Sequence, residues 1–319
     1  MARFTKRLAL SVLLTGMMGV VAGFSGLDDG DQRVELGRVD WHKDFDKARS
    51  LARQKERPLF VLFTEVPGCS TVKGYGRSVL SHPQIADAIE QAFVPVVVYN
   101  NKRGKHRRVL KSFNEPTWNN PAVRIIQPDR SMIVPRLYGN YSKLATVRTI
   151  VEALNKTNRE IPAYLQLLRR QFKPTPTDTA IFTMYCYWTG EARIGQLPSV
   201  VATKPGYIDG QEGVKVVFNS AGTKLQELAQ KVKRLEAASA VYVTNKSQLK
   251  QVEPIFEEAK RTSPNTFRYN PDADNYHLQG SPFQALTLTE LQTTRINSAV
   301  GLGKKAQRYL SPSQRQQMQ

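Results

Sequence analysis

The sequence predicts an α/β protein with two folded domains. Three observations carry this prediction: the length of the chain, the alternation of strand-like and helix-like segments, and a proline-containing segment between two such alternations. At about 150 residues per domain, a chain of 319 residues is long enough for two hydrophobic cores. The prolines in the segment 169–178 (RRQFKPTPTD) lack backbone donors and favour an extended linker. We therefore expect a domain boundary near residues 172–177.

The composition narrows the classes of protein that this chain belongs to. Hydrophobic residues make up 40% of the sequence, which is typical of a folded protein. The only two cysteines, Cys69 and Cys186, exclude a disulfide scaffold and an all-cysteine zinc site, and the four histidines are scattered. We expect neither a metal nor an organic cofactor. The net charge of +19 makes an acidic partner or an anionic membrane surface a candidate without naming either.

The N-terminal segment predicts export. Three cations among the first seven residues precede the uncharged apolar run 8–24, which ends in small residues around Ala22. This order is typical of a cleaved secretory signal, but a run of about 17 apolar residues also reaches across a bilayer as an anchor, and both alternatives stay open. We assign residues 1–25 to a signal peptide or anchor and expect an exported protein, periplasmic or membrane-anchored facing the periplasm. Nucleic acid is not an expected partner there.

The first predicted domain, residues 38–170, alternates helices and strands. An apolar stripe predicts a helix over 40–55, and the continuous apolar run 58–64 predicts a strand that is buried on both faces. Cys69 follows this strand, at the start of the next helical stretch. Further patterns predict helices near 107–113 and 143–154, and strands at 94–99, 122–127 and 132–137. The alternation favours an α/β domain with a mixed sheet.

The arrangement of strand, cysteine at a helix start and X-Pro before a late strand resembles the thioredoxin fold. The string 66–71 (VPGCST) is similar to the VPG-x-x-T family of thioredoxin-like proteins, in which selenocysteine can follow the glycine. The resemblance implies a nucleophilic thiolate at Cys69, favoured by the helix N-terminus, and makes Pro121 the candidate cis-proline. The usual second cysteine, three residues on, is Val72. An alternative is therefore a degenerate domain kept for packing or docking.

The second predicted domain spans residues 178–300. A β-prone segment at 179–184 leads into YCYWTGE at 185–191, and then come PSVVATKPGYIDG at 198–210, a strand at 214–218 and a helix at 223–235. This ordered series, together with FRYNPDADNY at 267–276, resembles the type-A peptide methionine sulfoxide reductases. The resemblance implies their two-layer α/β sandwich. Residues 301–319 are glutamine-rich and predict a disordered polar tail.

The resemblance also implies the role of each residue in this chemistry. Cys186 would be the thiolate that attacks the sulfoxide sulfur, and Glu212 would be the acid that protonates the departing oxygen. The wall around the substrate methyl group would consist of Tyr187 and Trp188. The alternative is that Cys186 and these aromatic residues simply belong to the core.

Three departures from the family pattern bear on activity. The glycine before the nucleophile is Tyr185, and no cysteine that could resolve an intermediate follows Cys186. The two tyrosines that bind the sulfoxide oxygen are missing from their expected places, so Tyr207 or Tyr269 would have to substitute for them.

The two lone cysteines suggest a relay between the domains. Attack by Cys186 would leave a sulfenic acid, which must condense with a second thiol. We hypothesise that Cys69 supplies this thiol and that an external thiol reductant, either a thioredoxin-like protein or a membrane reductant, opens the resulting disulfide. The expected substrates are oxidised proteins that carry the S epimer of methionine sulfoxide. Two alternatives are a non-catalytic redox-binding protein and a static disulfide between the domains.

Overall fold

Two β-sheets organise the part of the chain that the structure describes, which is residues 34–118 and 121–318 of a computed structural model. The first sheet lies before residue 127 and the second begins at residue 177. The predicted signal peptide or anchor at 1–25 falls outside the described residues. Within the described ranges, no helix combines the length and the apolar character needed to cross a membrane.

The first sheet has three strands in the order β2-β1-β3: β1 (Leu59–Thr64), β2 (Val94–Tyr99) and β3 (Ala122–Ile126). β1 pairs in parallel with β2 and antiparallel with β3. Every residue of β1 and β2 is buried, because helices cover both faces of the sheet. The strand predicted at 132–137 is wrong. That segment makes only single bridges to β3, since Pro135 lacks the N–H that a continuous ladder needs.

Helices pack on both faces of this sheet. Helix α1 (Phe45–Gln54) begins later than its apolar stripe predicts, because the Asp44 carboxylate caps it by accepting from the N–H groups of Asp46 and Lys47. One face is covered by α1 (Phe45–Gln54) and α4 (Lys105–Ser112). The other face is covered by α2 (Ser70–Tyr75), α3 (Pro83–Ala92), α5 (Lys143–Lys156) and α6 (Ala163–Phe172).

The second sheet has six strands in the order β8-β7-β4-β6-β5-β9. It is mixed, since β7 and β8 are parallel and the other neighbours are antiparallel. Its strands are β4 (Thr177–Thr183), β5 (Val200–Ile208), β6 (Gln211–Asn219), β7 (Ala240–Val243), β8 (Glu258–Arg261) and β9 (Arg268–Tyr269). The helices in this part are α7 (Tyr187–Gly195), α8 (Leu225–Arg234), α9 (Lys246–Val252), α10 (Tyr276–Gln279) and α11 (Glu290–Gly301).

One large core lies between this sheet and its helices. Alternate strand residues, among them Phe182, Val216 and Phe218, pack in one hydrophobic cluster with Ile194 of α7 and Leu228 of α8. The protein is therefore mixed α/β in both parts. An extended segment joins α6 to β4, and the domain boundary that the sequence places near 172–177 stays a prediction.

The C-terminal segment is folded, so the prediction of a disordered tail is wrong. A 3-10 helix (Ala306–Tyr309) and α12 (Pro312–Gln316) follow α11. Leu310 is fully buried in a small apolar cluster, and Ser313 donates a hydrogen bond from its hydroxyl to Asp87 of α3 at 2.6 Å. A few apolar residues and a capping box at Ser311 are thus enough to dock the segment.

Candidate functional site

Cys186 lies at the N-terminus of α7, three residues after β4 ends. It is the residue that precedes the helix, it is half-buried, and its own side chain makes no capping bond. The backbone N–H of the next residue, Tyr187, donates to Oε2 of Glu212 at 2.9 Å. One carboxylate oxygen of Glu212 therefore lies at the helix end that Cys186 opens, where the unsatisfied N–H groups favour negative charge.

Two tyrosines are neighbours of Glu212, Tyr187 through its backbone N–H and Tyr207 through strand pairing. Tyr207 of β5 is the cross-strand partner of Glu212 of β6, so the two side chains share a face of the sheet. The Tyr207 hydroxyl lies 3.4 Å from the Tyr187 hydroxyl, which also accepts a hydrogen bond from Nδ2 of Asn270 at 3.2 Å. Hydrogen bonding to Tyr207 and burial raise the pKa of Tyr187 to about 12, so this phenol keeps its proton at neutral pH.

Three aromatic rings form a wall next to the cysteine. Tyr187 and Trp188 meet edge to face with ring centroids 5.8 Å apart. Tyr276 of α10 stacks on Trp188 with centroids 3.9 Å apart and an interplanar angle of 12°. The His277 ring lies 3.3 Å from the Trp188 carbonyl oxygen and fixes α10 against α7. The wall is apolar and polarisable, which suits a thioether methyl group.

A buried carboxyl lies one turn further along α7. Glu191 accepts hydrogen bonds from the Thr203 hydroxyl at 2.9 Å and from the Asn275 N–H at 3.2 Å. Burial raises its pKa to about 7, with a smaller contribution from the neighbouring carboxylate of Asp274. Glu191 therefore couples α7 to the segment that carries Tyr276.

The other end of α7 is held by a buried arginine. The Arg295 guanidinium of α11 donates to the carbonyl oxygens of Gly195, Leu197, Pro198 and Val200, at 2.8 Å for Leu197 and 2.7 Å for Val200. Its positive charge complements the negative end of the helix dipole. The orientation of α7, and hence of Cys186, depends on this contact.

Cys69 lies in the first sheet region, before α2, and is exposed. Its N–H donates to Oε1 of Glu65 at 3.3 Å, and the N–H of Gly68 donates to Oε1 of Glu35 at 3.0 Å. The Val66-Pro67 peptide bond is cis. Pro121, the predicted cis-proline, follows a residue outside the described ranges, so its role stays a prediction.

The structure brings five of the seven predicted site residues together and leaves two apart. Cys186, Tyr187, Trp188, Tyr207 and Glu212 form one cluster, whereas Cys69 and Pro121 belong to the first sheet region. Both cysteines are free thiols. Within residues 34–118 and 121–318, no group of His, Cys, Asp and Glu side chains is arranged to hold a metal ion.

Contacts between the two sheet regions lie away from Cys186. The main ones join α3 and α6 to α11, α12 and the 3-10 helix. The Arg170 side chain of α6 also donates to the carbonyl oxygen of Pro198, beyond the C-terminal end of α7. Cys186 is at the opposite end of that helix, and no hydrogen bond among the described residues joins its cluster to Cys69.

Sequence reasoning missed three residues of this site. Asn270, Tyr276 and Glu191 were assigned no role, although all three fall within strings that resemble family motifs: Glu191 ends the string 185–191, and the other two lie within 267–276. The pairing of Glu191 with Asn275 depends on how that segment folds back onto α7, and no local pattern encodes this contact.

The fold and these residues together define an α/β protein with a thioredoxin-like domain and a second, larger mixed sheet, each carrying one free cysteine before a helix. Residues 40–128, which are less than half of the chain, match the family model of thioredoxin-like proteins. Among solved structures, one titled DsbH oxidoreductase is 16% identical, with 41% of this chain and 95% of that chain covered and a TM-score of 0.33. No curated protein matches the chain.

Proposed function

We propose that the chain is an exported thiol oxidoreductase that reduces methionine sulfoxide in proteins at Cys186. The observation that carries this proposal is the hydrogen bond from the Tyr187 N–H to Glu212, which puts an acid at the helix end that Cys186 opens. The thioredoxin-like match supports thiol chemistry for the chain in general terms. Export is proposed on the basic start and apolar run of the first 24 residues.

The first chemical step transfers oxygen from the substrate to Cys186. The Cys186 sulfur attacks the sulfoxide sulfur, and one proton passes from the thiol through Glu212 to the sulfoxide oxygen. The oxygen then moves as a hydroxyl to the Cys186 sulfur while the substrate sulfur–oxygen bond and the new sulfur–sulfur bond both break. Methionine leaves as the thioether, and Cys186 becomes a sulfenic acid. The substrate is reduced by two electrons and the cysteine is oxidised by two.

The tyrosine hydroxyls take the part of the two missing family tyrosines. Tyr207 lies opposite Glu212, and its hydroxyl is paired with that of Tyr187. Because Tyr187 keeps its proton, this pair can donate a hydrogen bond to the oxygen as negative charge develops on it. The wall of Tyr187, Trp188 and Tyr276 would hold the methyl group.

The second step regenerates the thiol. The sulfenic acid condenses with another thiol, which forms a disulfide and releases water, and an external dithiol reduces this disulfide. We propose Cys69 as that thiol, because it is the only other cysteine and it is exposed on the thioredoxin-like domain. The contacts between the sheet regions lie at the far end of α7, so the relay requires the two regions to move apart or Cys69 to come from a second chain.

The test of the reductase is turnover of a methyl sulfoxide with dithiothreitol as reductant. We expect the wild-type chain to be active, Cys186→Ser to be inactive, and Glu212→Gln to lose about 100-fold in rate through loss of the acid. The exposed Glu258→Gln on β8 is the matched control and should retain full activity. An inactive wild type, or an active Cys186→Ser, would refute the proposal.

The test of the relay is the same assay with Cys69→Ser and two reductants. Dithiothreitol should support this variant, because a small thiol resolves the sulfenic acid directly, whereas a thioredoxin protein should not. Equal turnover with both reductants would remove Cys69 from the relay and leave the reductase intact. If the wild type is inactive but oxidised proteins are captured on Cys69, the chain is instead a redox-binding protein.

A further inference from the structure

The face of the first sheet that α1 and α4 cover carries a dense positive charge. Residues 102–111 contain six lysines and arginines and no acid, and all six are exposed. Lys47 and Arg53 of α1 and Arg130 beside it are exposed as well. We call this set the basic face: Lys47, Arg53, Lys102, Arg103, Lys105, Arg107, Arg108, Lys111 and Arg130.

Only a small part of this charge is balanced inside the protein: Asp44 and Asp46 line one cavity with Lys105, Arg108 and Arg130. Lys102 and Arg130 also lie over the rings of Tyr99 and Phe45. Val109 and Leu110 hold α4 on the sheet, which leaves its cations outside. Among the described residues of α4, only Lys105 pairs with a carboxylate, that of Asp44 at 2.8 Å. Arg107, Arg108 and Lys111 have no acidic partner within the described ranges. An amphipathic helix with a purely basic outer side remains free for an external anion.

The basic face is also clear of the second sheet. All of the main contacts to the C-terminal part come from α3 and α6, which lie on the other side of the first sheet. A partner on the basic face would therefore not compete with the packing of the two parts.

We propose that the basic face docks the protein on an anionic lipid surface. Clusters of four to eight cations on an amphipathic helix are typical of binding to anionic phospholipid. In the anchor alternative, the apolar run 8–24 supplies a second membrane signal, and stable attachment ordinarily needs two. Nucleic acid is less well matched, because stacking of bases needs exposed aromatic rings, and the large exposed aromatics of the described residues lie outside α1 and α4.

The size of the effect follows from the number of cations. Each lysine or arginine close to an anionic membrane increases partitioning by roughly five-fold at moderate salt. Neutralising three of them is therefore expected to lower the preference for anionic over neutral vesicles by roughly 100-fold. The effect should weaken as salt rises, because the charges are exposed.

The experiment is sedimentation of the full chain with vesicles of phosphatidylcholine alone or mixed with phosphatidylglycerol. The ratio of the two partition coefficients isolates the charge effect, since an apolar anchor binds both kinds of vesicle. The variant combines Arg107→Gln, Arg108→Gln and Lys111→Gln. The control removes three exposed cations from the second sheet region, Arg234→Gln, Lys246→Gln and Lys250→Gln.

The proposal is supported if the ratio of the two partition coefficients falls in the α4 variant and stays at the wild-type value in the control. An equal fall of the ratio in both variants would show that binding responds to net charge and not to a docking face. A ratio near one for the wild type would show no preference for anionic lipid. Either result overturns the proposal. Tighter binding to a single-stranded oligonucleotide than to anionic vesicles at the same salt would also overturn it, in favour of nucleic acid. The result does not depend on the sulfoxide reductase activity.

Discussion

Glu191→Gln is expected to stabilise the protein at high pH, although it replaces a buried residue. Glu191 is 1% exposed and accepts hydrogen bonds from Thr203 and Asn275. Burial raises its pKa from 4.5 to about 7. The folded protein therefore holds a proton there that the unfolded chain releases, and stability falls as the pH rises from 4.5 through 7.

The magnitude follows from the difference between the two pKa values. Each tenfold change in proton affinity is worth about 1.4 kcal/mol, so ionising Glu191 in the folded state costs about 3 kcal/mol above pH 7. Glutamine cannot ionise. Its amide oxygen can accept from the Asn275 N–H while its own N–H donates to the Thr203 hydroxyl, which then turns from donor to acceptor. The variant should be within about 1 kcal/mol of the wild type near pH 5 and exceed it by about 3 kcal/mol near pH 8.

Urea unfolding followed by tryptophan fluorescence at these two pH values measures the difference. Glu257→Gln, an exposed carboxylate in the same region, is the control and should change stability little at either pH. A Glu191→Gln variant that is destabilised equally at pH 5 and pH 8 would refute the reasoning, because it would mean that the ionised carboxylate is fully compensated in the fold.

Three further substitutions test the framework around the site. Arg295→Ala should lower the free energy of unfolding, measured in urea, by about 4 kcal/mol, because the carbonyl oxygens at the end of α7 lose a buried charged donor. The control Arg234→Ala, at an exposed arginine, should cost less than about 0.5 kcal/mol. Glu115→Ala should lower the free energy of unfolding by about 3 kcal/mol in the same assay, because it leaves Arg124 and Arg136 without their shared carboxylate. A decrease below about 1 kcal/mol would contradict this expectation. Tyr207→Phe should slow sulfoxide reduction with dithiothreitol by about 10-fold or more with unchanged unfolding, and an unaltered rate would exclude its hydroxyl from the oxygen site.

Much of the fold could be predicted because its signals are local. The apolar run at 94–99 has the same bounds as β2, and the run at 58–64 differs from β1 by one residue. These strands are buried on both faces, so nearly every position is apolar and the bounds are visible in the sequence. The start of α1 is set by the Asp44 cap, which moves it five residues from the start of the apolar pattern.

The errors arise where distant residues decide the outcome. The polar composition of 301–319 suggested disorder, yet Asp87 of α3 and the cluster around Leu310 fix the segment in place. A segment that docks through only a few apolar side chains keeps a polar amino-acid composition, so its composition does not reveal the contact. It is nevertheless enough to order a short segment when its polar groups find partners.

The candidate site also has one part that the sequence predicts and another that only the tertiary structure decides. The sequence predicts Cys186, Tyr187, Trp188 and Glu212 as site residues through the resemblance of its motifs to a reductase family, and their catalytic roles stay predictions. Only the folded chain sets Tyr207 opposite Glu212, raises the pKa of Glu191 to about 7, and separates the Cys186 end of α7 from the contacts between the two sheet regions. Motifs record which groups are present, whereas pairing across strands, burial and separation are properties of the packed core, because they depend on residues far apart in the chain.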